Sequence, residues 1–429
     1  MLGAYVNAFR TPDLRRKLLF VLMVIAIFRL GSQIPAPGVN VSNVHQCIQG
    51  STGGVYNLIN TFSGGALLQL TIFALGIMPY ITASIILQLL VVVIPRLEAL
   101  KKEGQAGQTK ITQYTRYLTL ALAILQATGI VALARSGQLL SGCNEPLLYH
   151  NDSLMTMLVL VITMTAGTAV IMWLGELITD RGIGNGMSIL IFTQVVASFP
   201  ASLWAVKVSR GWWVFALITA IGLVLVAGVI FMEQGQRRIP VQYARRMVGR
   251  KMFGGSSTYI PLKVNQAGVI PVIFASSLLY LPAMAAQFSG NTTWAAWIST
   301  YLVKGDHPLY MAFQFALIVF FTYFYVAITF NPEEVADNMK KYGGFIPGIR
   351  AGKPTEEYLN YVLSRITLPG ALYLGTISII PLIALVWVQA SQNFPFGGTS
   401  LLIMVGVALD TVKQIESQLQ QRNYEGFLR

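Results

Sequence analysis

The residues with the most chemistry to offer in this chain are its arginines and lysines, and they are gathered. From Glu233 to Asn265 the sequence EQGQRRIPVQYARRMVGRKMFGGSSTYIPLKVN sets seven basic residues beside a single acid. Guanidinium forks grip phosphates and carboxylates through two parallel hydrogen bonds, so the segment suits an anionic surface. Its parts PVQYARRMV and STYIPLKV flank Gly254 and Gly255, which predicts a two-stranded hairpin with a basic tip. A second segment, NPEEVADNMKKYGGFIPGIRAGKPTEEYL, mixes both signs and would project one arginine, Arg350, from a stiff turn. Two explanations fit: docking of an anionic partner, or the ordinary basic bias of a membrane's inner face against anionic lipid. The length of both segments, more than their charge, points to a large soluble partner.

Catalytic and metal chemistry find no matching pattern. The sequence has no GxxxxGK[ST] loop, and its Gly352-Lys353 pair is followed by Pro354. HExxH and CxxC are missing, and His45, His150 and His307 all fall between apolar runs. No cofactor is expected. Cys47 and Cys143 fall in two segments assigned below to the outer side, where a disulfide is chemically permitted, although two unpaired, inert thiols are the plainer reading.

The elements that must position these groups are apolar. The chain of 429 residues is 54% hydrophobic and 11% charged, less than half the charge of a typical soluble domain, about 25%. Apolar runs lie near 18–34, 66–94, 117–134, 153–174, 187–206, 212–232, 267–286, 308–330, 366–390 and 400–412. Most are about as long as the roughly 20 residues a membrane helix needs, the first and last being the weakest. Short alternating segments of the β-barrel kind are not seen.

Charge placement checks the count. Alternate segments starting from the N-terminus hold 4, 5, 1, 7, 5 and 3 basic residues, 25 in all; the other set holds 0, 1, 2, 1 and 0, which is 4. With Arg29 inside the first run, these account for all 30. The positive-inside rule then predicts ten spans with both termini and the long basic loops in the cytoplasm. The N-terminal MLGAYVNAFRTPDLRRK reads as a basic tail leading straight into the first span, with no cleavable signal.

Within the spans, acids stay at the ends (Glu176, Asp180, Glu233, Asp410), while the interior carries Thr82, Ser84, Gln88, Thr163, Thr165, Thr168, Ser188, Thr193 and Gln194. A proton-coupled carrier needs a titrating group at mid-membrane, so that class is disfavoured. A small-solute secondary transporter built on inverted repeats stays as the competing reading. An intramembrane protease would need a catalytic Ser/His, paired Asp or metal motif in the spans, and none is present.

One run is too long and too broken for a single helix. NTFSGGALLQLTIFALGIMPYITASIILQLLVVVIP, residues 60–95, opens on Gly64-Gly65 and carries Gly76 and Pro79 inside. It divides into a stretch too short to span, 57–70, and a predicted span from Thr71 to Ile94. Ile77 and Ile81 then fall one turn apart on one face.

Several long motifs, in order, resemble the SecY family of bacterial protein-secretion channels. They are FSGGALLQLTIFALGIMPYITASIILQLL, KKEGQAGQTKITQYTRY, MWLGELITDRGIGNGMSI, EQGQRRIPVQYARR, IPLKVNQAGVIPVIFASS, FNPEEVADNMKKYGGFIPGIRAGKPT and FGGTSLLIMVGVALD. The resemblance runs from about Leu14 to Asp410. It implies an all-α membrane protein with ten transmembrane helices in two pseudo-symmetric halves, 1–206 and 207–429, around a central pore with a short plug half-helix. The family translocates unfolded secretory polypeptides and inserts membrane helices laterally into the plasma membrane; it is not an enzyme.

The same resemblance assigns roles to positions. The pore ring would be Ile77, Ile81, Met187, Ile191, Ile273 and Ile403, with Met187 departing from the β-branched residue expected there. An apolar waist blocks ions by dewetting yet offers a passing chain no strong binding site. The plug would hold Phe62, Ser63, Gly64, Gly65, Ala66 and Leu67. Gln88 and Asn265 would meet at the lateral gate, and Arg250, Lys251 and Arg350 would dock the SecA motor and the ribosome. Implied partners are SecE, SecG, SecA, the ribosome, signal sequences and nascent chains, YidC, SecDF and membrane lipids, with no direct DNA binding.

Overall fold

The computed structural model describes residues 9, 11–50, 65–67, 69–135, 146–149, 153–243, 246–248, 251–253, 257–288, 293–303, 307–388 and 398–425. It is an all-α membrane fold in which each of the ten apolar runs contains helix among the described residues, the run 66–94 only from Met78 onward. The helices are α1 (Pro12–Gly31), α2 (Val41–Gly50), α3 (Met78–Val93), α4 (Pro95–Lys102), α5 (Gln105–Arg135), α6 (Leu154–Arg181) and α7 (Gly186–Gln234). They continue as α8 (Ile270–Phe288), α9 (Thr293–Ile298), α10 (Pro308–Thr329), α11 (Pro332–Lys341), α12 (Lys353–Val388) and α13 (Gly398–Glu425). Helix α7 covers two runs and breaks between them at Gly211, whose φ of 83° and ψ of 179° fit no helix. Among the described residues, α5, α6, Gly211–Gln234 and the elements led by α10 and α12 are long and apolar enough to cross a membrane on their own. The α3–α4 pair forms a sixth, bent by 99°, while Gly186–Pro200 and Ile270–Leu279 are apolar but shorter.

The chain divides into two compact units: residues 1–218 with 385–429, and residues 219–384. In the first, α3 packs on α5, α5 on α6, and α6 on α1. The outer stripe of α6, with Met155, Leu158 and Ile162 at helical spacing, is exposed, which a protein bathed in water would not tolerate at this extent. Hydroxyls inside the spans are satisfied on their own helices: Thr163, Thr165, Thr168 and Thr193 each donate to the carbonyl four residues back. Where α13 leaves its apolar run, Ile415 is buried with Leu14 and Ile183. That packing explains why α13 continues to Glu425 instead of ending near residue 412, as the apolar run alone suggests.

Helix α3 begins at Met78, not at Thr71 as the sequence predicts. Gly76 has a positive φ of 57°, which stops a helix from running through it. Pro79 takes the first turn, where a missing N–H costs nothing. Before that point residues 65–67 and 69–77 form consecutive turns, apolar because they are buried rather than because they span.

The second unit carries a small sheet outside the helices. Strand β1 (Gln236–Tyr243) pairs antiparallel with β4 (Ser257–Lys263), and β2 (Arg246–Val248) with β3 (Lys251–Phe253). The hairpin is therefore present, but its register closes on Val248 and Lys251 rather than on Gly254-Gly255. Strand β5 (Gly344–Phe345) adds to the free edge of β1, so the second polar segment joins the first. Along β1 alternate residues Ile239 and Val241 are buried against Leu262, Ile346, Leu359 and Val362. Each such side chain contributes about 1.5–3 kcal/mol, enough to hold both segments in place. Helices α8 and α10 pack together, with Phe274 edge-on to Phe321 and Tyr325.

Candidate functional site

Five of the six ring positions belong to the first unit, and Ile273 belongs to the second. Ile77 caps α3 and is buried; the Ile81 N–H donates to its carbonyl at 3.1 Å, so the two stand one turn apart. Ile81 is half-buried. Met187 and Ile191 sit one turn apart on α7 and Ile403 lies on α13, all three buried. Ile273 is half-buried on α8.

Met187 has a specific seat. A Cβ on Gly175 of α6 would overlap its sulfur, so that glycine clears room for the thioether. Gly186 likewise lies against the Gly175 carbonyl. Nothing in the local sequence marks Gly175 for this, because the contact joins helices rather than neighbours along the chain.

Of the positions expected in a plug, Phe62, Ser63 and Gly64 lie outside the described residues. Gly65, Ala66 and Leu67 form a turn, and Ala66 and Leu67 are about 1% exposed. Downstream, the turn is tied by backbone bonds to the chain after α1: Ala36 N–H donates to Leu70 O, and Ile72 N–H to Ile34 O, both at 3.0 Å. Phe73 stacks on Phe28 of α1 at 5.8 Å. A Cβ on Gly167 of α6 would run into the Ile72 carbonyl. Leu70, Ile72 and Phe73 are thus fixed against α1, the chain that follows it, and α6.

The chain beyond α1 is also pinned. Asn40 N–H donates to Leu147 O at 2.9 Å, Tyr149 N–H to Gly38 O at 3.1 Å, and the Asn43 amide to Pro146 O at 3.0 Å. Cys47, on α2, is buried and disulfide-bonded. The chain's other cysteine, Cys143, lies outside the described residues.

At the positions expected to line a lateral gate, Gln88 is exposed on α3 and its amide donates to Ser84, four residues back, at 3.4 Å. Asn265 is 3% exposed, with its amide N–H donating to the Glu233 carboxylate and to Gly268 O. Those bonds tie the end of α7 to the start of α8. Sequence reasoning found Asn265 but not its link to Glu233, which the intervening hairpin alone brings close.

Arg350 is exposed on a fixed loop: Ile346 anchors it in the sheet core, and the Thr355 hydroxyl donates to the Arg350 carbonyl at 2.8 Å. Lys251 is on β3, and Arg250 lies outside the described residues. In the first unit Arg116 grips Glu176 with two bonds of 2.8 and 2.7 Å, clamping α5 to α6. That fork is the arrangement an arginine makes with carboxylates generally.

The model of the SecY family matches residues 71–412. The chain belongs to the SecY family. It is similar over its whole length to the protein translocase subunit SecY of Streptomyces galbus, 68% identical with all of both chains covered. The protein translocase subunit SecY of Mycobacterium tuberculosis strain H37Rv is 60% identical, again over all of both chains. Among solved structures, a protein-conducting channel shares the fold at a TM-score of 0.62 and 20% identity, over 94% of this chain and 91% of that one. Sec61 of the canine ribosome-channel complex follows at a TM-score of 0.58 and 18% identity. The solute-transporter reading finds no support in these SecY-family relatives.

Proposed function

We propose that this chain is the channel subunit of a protein-secretion translocon, passing unfolded polypeptides across the membrane and releasing membrane helices sideways into lipid. The observation that carries the reading is its full-length 68% identity to a protein translocase subunit. In this reading Ile77, Ile81, Met187, Ile191, Ile273 and Ile403 form the apolar waist. Residues 57–70 form the plug, and Gln88 and Asn265 lie along the lateral gate between halves 1–206 and 207–429. Burial of four ring positions in the first unit supports the waist. The exposed, anchored Arg350, with Arg250 and Lys251, is the dock for the SecA motor and the ribosome. SecE braces the halves, SecG lies at the periphery, and the energy comes from partners rather than from this chain. The bacterial plasma membrane, with both termini cytoplasmic, is the setting that the 25-to-4 split of basic residues supports.

The test is reconstitution. The chain, purified with the small membrane subunits that accompany it, is placed in vesicles with SecA and ATP. A precursor carrying a signal sequence should become protected from added protease. Protection that stays at background, in vesicles where the complex is intact, overturns the reading.

A further inference from the structure

Gln194 is fully buried in α7, at 0% exposure, and neither its amide nitrogen nor its amide oxygen has a hydrogen-bond partner among the described residues. Its neighbours behave differently. Thr193 donates to Ile189 O and Ser198 to Val195 O, so both satisfy themselves on their own helix. A buried side-chain amide with nothing to bond is rare and costly. Interhelical glue does not account for it, because glue is by definition paired.

Register says what the group is near. Gln194 follows Met187 by seven residues and Ile191 by three, which places all three on one face of α7. Gln194 therefore stands about 4.5 Å beyond Ile191 along the helix, away from the basic loops. Met187, Leu190, Ile191, Gln194 and Val195 make one buried stripe in which the single carboxamide interrupts apolar side chains.

We propose that Gln194 is a contact for the backbone of the passing polypeptide, kept dry and unpaired at rest and paired only when the channel is occupied. This rests on the channel reading above. A carboxamide is the side-chain copy of a peptide group: one face donates and the other accepts. An extended chain offers an N–H and a C=O at every residue, about 3.4 Å apart, whatever its sequence. In an apolar waist those groups lack water, so one amide beside it gives each peptide unit a brief partner. A lone neutral amide binds too weakly to stall the chain, as conduction requires. The unpaired state also raises the free energy of the empty channel, which lowers the threshold for opening.

The experiment uses the reconstituted complex with three variants. Gln194→Leu removes the amide while keeping the bulk. It should cut export of a precursor with a weakened signal sequence about tenfold, equivalent to about 1.4 kcal/mol, and leave a strong-signal precursor near wild type. Gln194→Asn keeps the carboxamide and should retain more than half of the weak-signal export. Gln194→Cys, tested with a stalled precursor carrying single cysteines, should give a disulfide-linked product several times more abundant than Val224→Cys, whose side chain is exposed. The proposal is overturned if Gln194→Leu leaves weak-signal export unchanged or raises it, if Leu and Asn lose export together, or if the Gln194→Cys adduct is no stronger than the control. Wild-type vesicles that fail with the strong-signal precursor would instead remove the channel reading itself.

Discussion

At the scale of single side chains, the proposed waist would keep ions out because apolar groups make water there unfavourable, so the smallest polar change should matter most. Ile81→Asn or Ile273→Asn should raise ion conductance of the idle channel in planar bilayers several-fold and relax discrimination against weak signals. Unchanged conductance in both would remove them from the waist. Arg350 poses the opposite demand, for a fixed charge. Hydrogen bonds to charged groups contribute about 1.5–3 kcal/mol, so Arg350→Glu should lower SecA-driven export by about tenfold or more with assembly intact. Arg350→Lys, which keeps the charge but loses the fork, should fall between. Normal export by the Glu variant sinks that role. The roles proposed for Ile81 and Arg350 come from long ordered motifs in the sequence. Gly175 beneath Met187 was not legible there, because its role is a contact between two helices.

Elements carry the next level of information, and here the sequence misled in instructive ways. An apolar stretch reads as a span whether it crosses lipid or is wrapped in protein, and residues 71–77 are wrapped, by Phe28 on one side and Gly167 on the other. The signals that stop the helix, Gly76 and Pro79, were visible, but their meaning depended on that packing. The basic hairpin was expected from its flanking strand patterns, yet Gly254-Gly255 drew its tip to the wrong place. Strand pairing outranks local turn preference, and β1 is long enough to set the register with β4. The wrapped turn makes its own prediction. Gly167→Val drives a side chain into the Ile72 carbonyl, and overpacking of this kind costs typically about 1–3 kcal/mol. The purified complex should lose several degrees of thermal stability, and, with the plug placed as proposed, its idle conductance should rise as residues 69–73 loosen. Gly228→Val, where an added Cβ meets nothing within 4 Å, is the control; equal behaviour of the two would refute the role of the close approach.

At the level of the whole molecule, length, charge and order agree. Each of the ten apolar runs holds a helix, the second only in its later part, and alternation of basic residues could not have come from mis-split runs. What composition could not convey was how the two polar segments combine: β5 joins them into one sheet through two residue pairs. The buried disulfide at Cys47 was left open by the sequence for a similar reason, since two cysteines 96 positions apart carry no local signature. Proteolysis between Cys47 and Cys143, followed by electrophoresis, checks it. Fragments should stay together without reductant and separate with it; separation in both conditions rejects a bond between these two positions.

That bond also acts as a compass. Basic residues orient a membrane protein by being held back on the side of their synthesis, whereas a disulfide forms where oxidising enzymes wait, on the far side. Cys47 lies in the tract that holds no lysine or arginine from Leu30 to Pro95. The orientation proposed above would therefore rest on two unrelated chemistries, one of charge and one of redox.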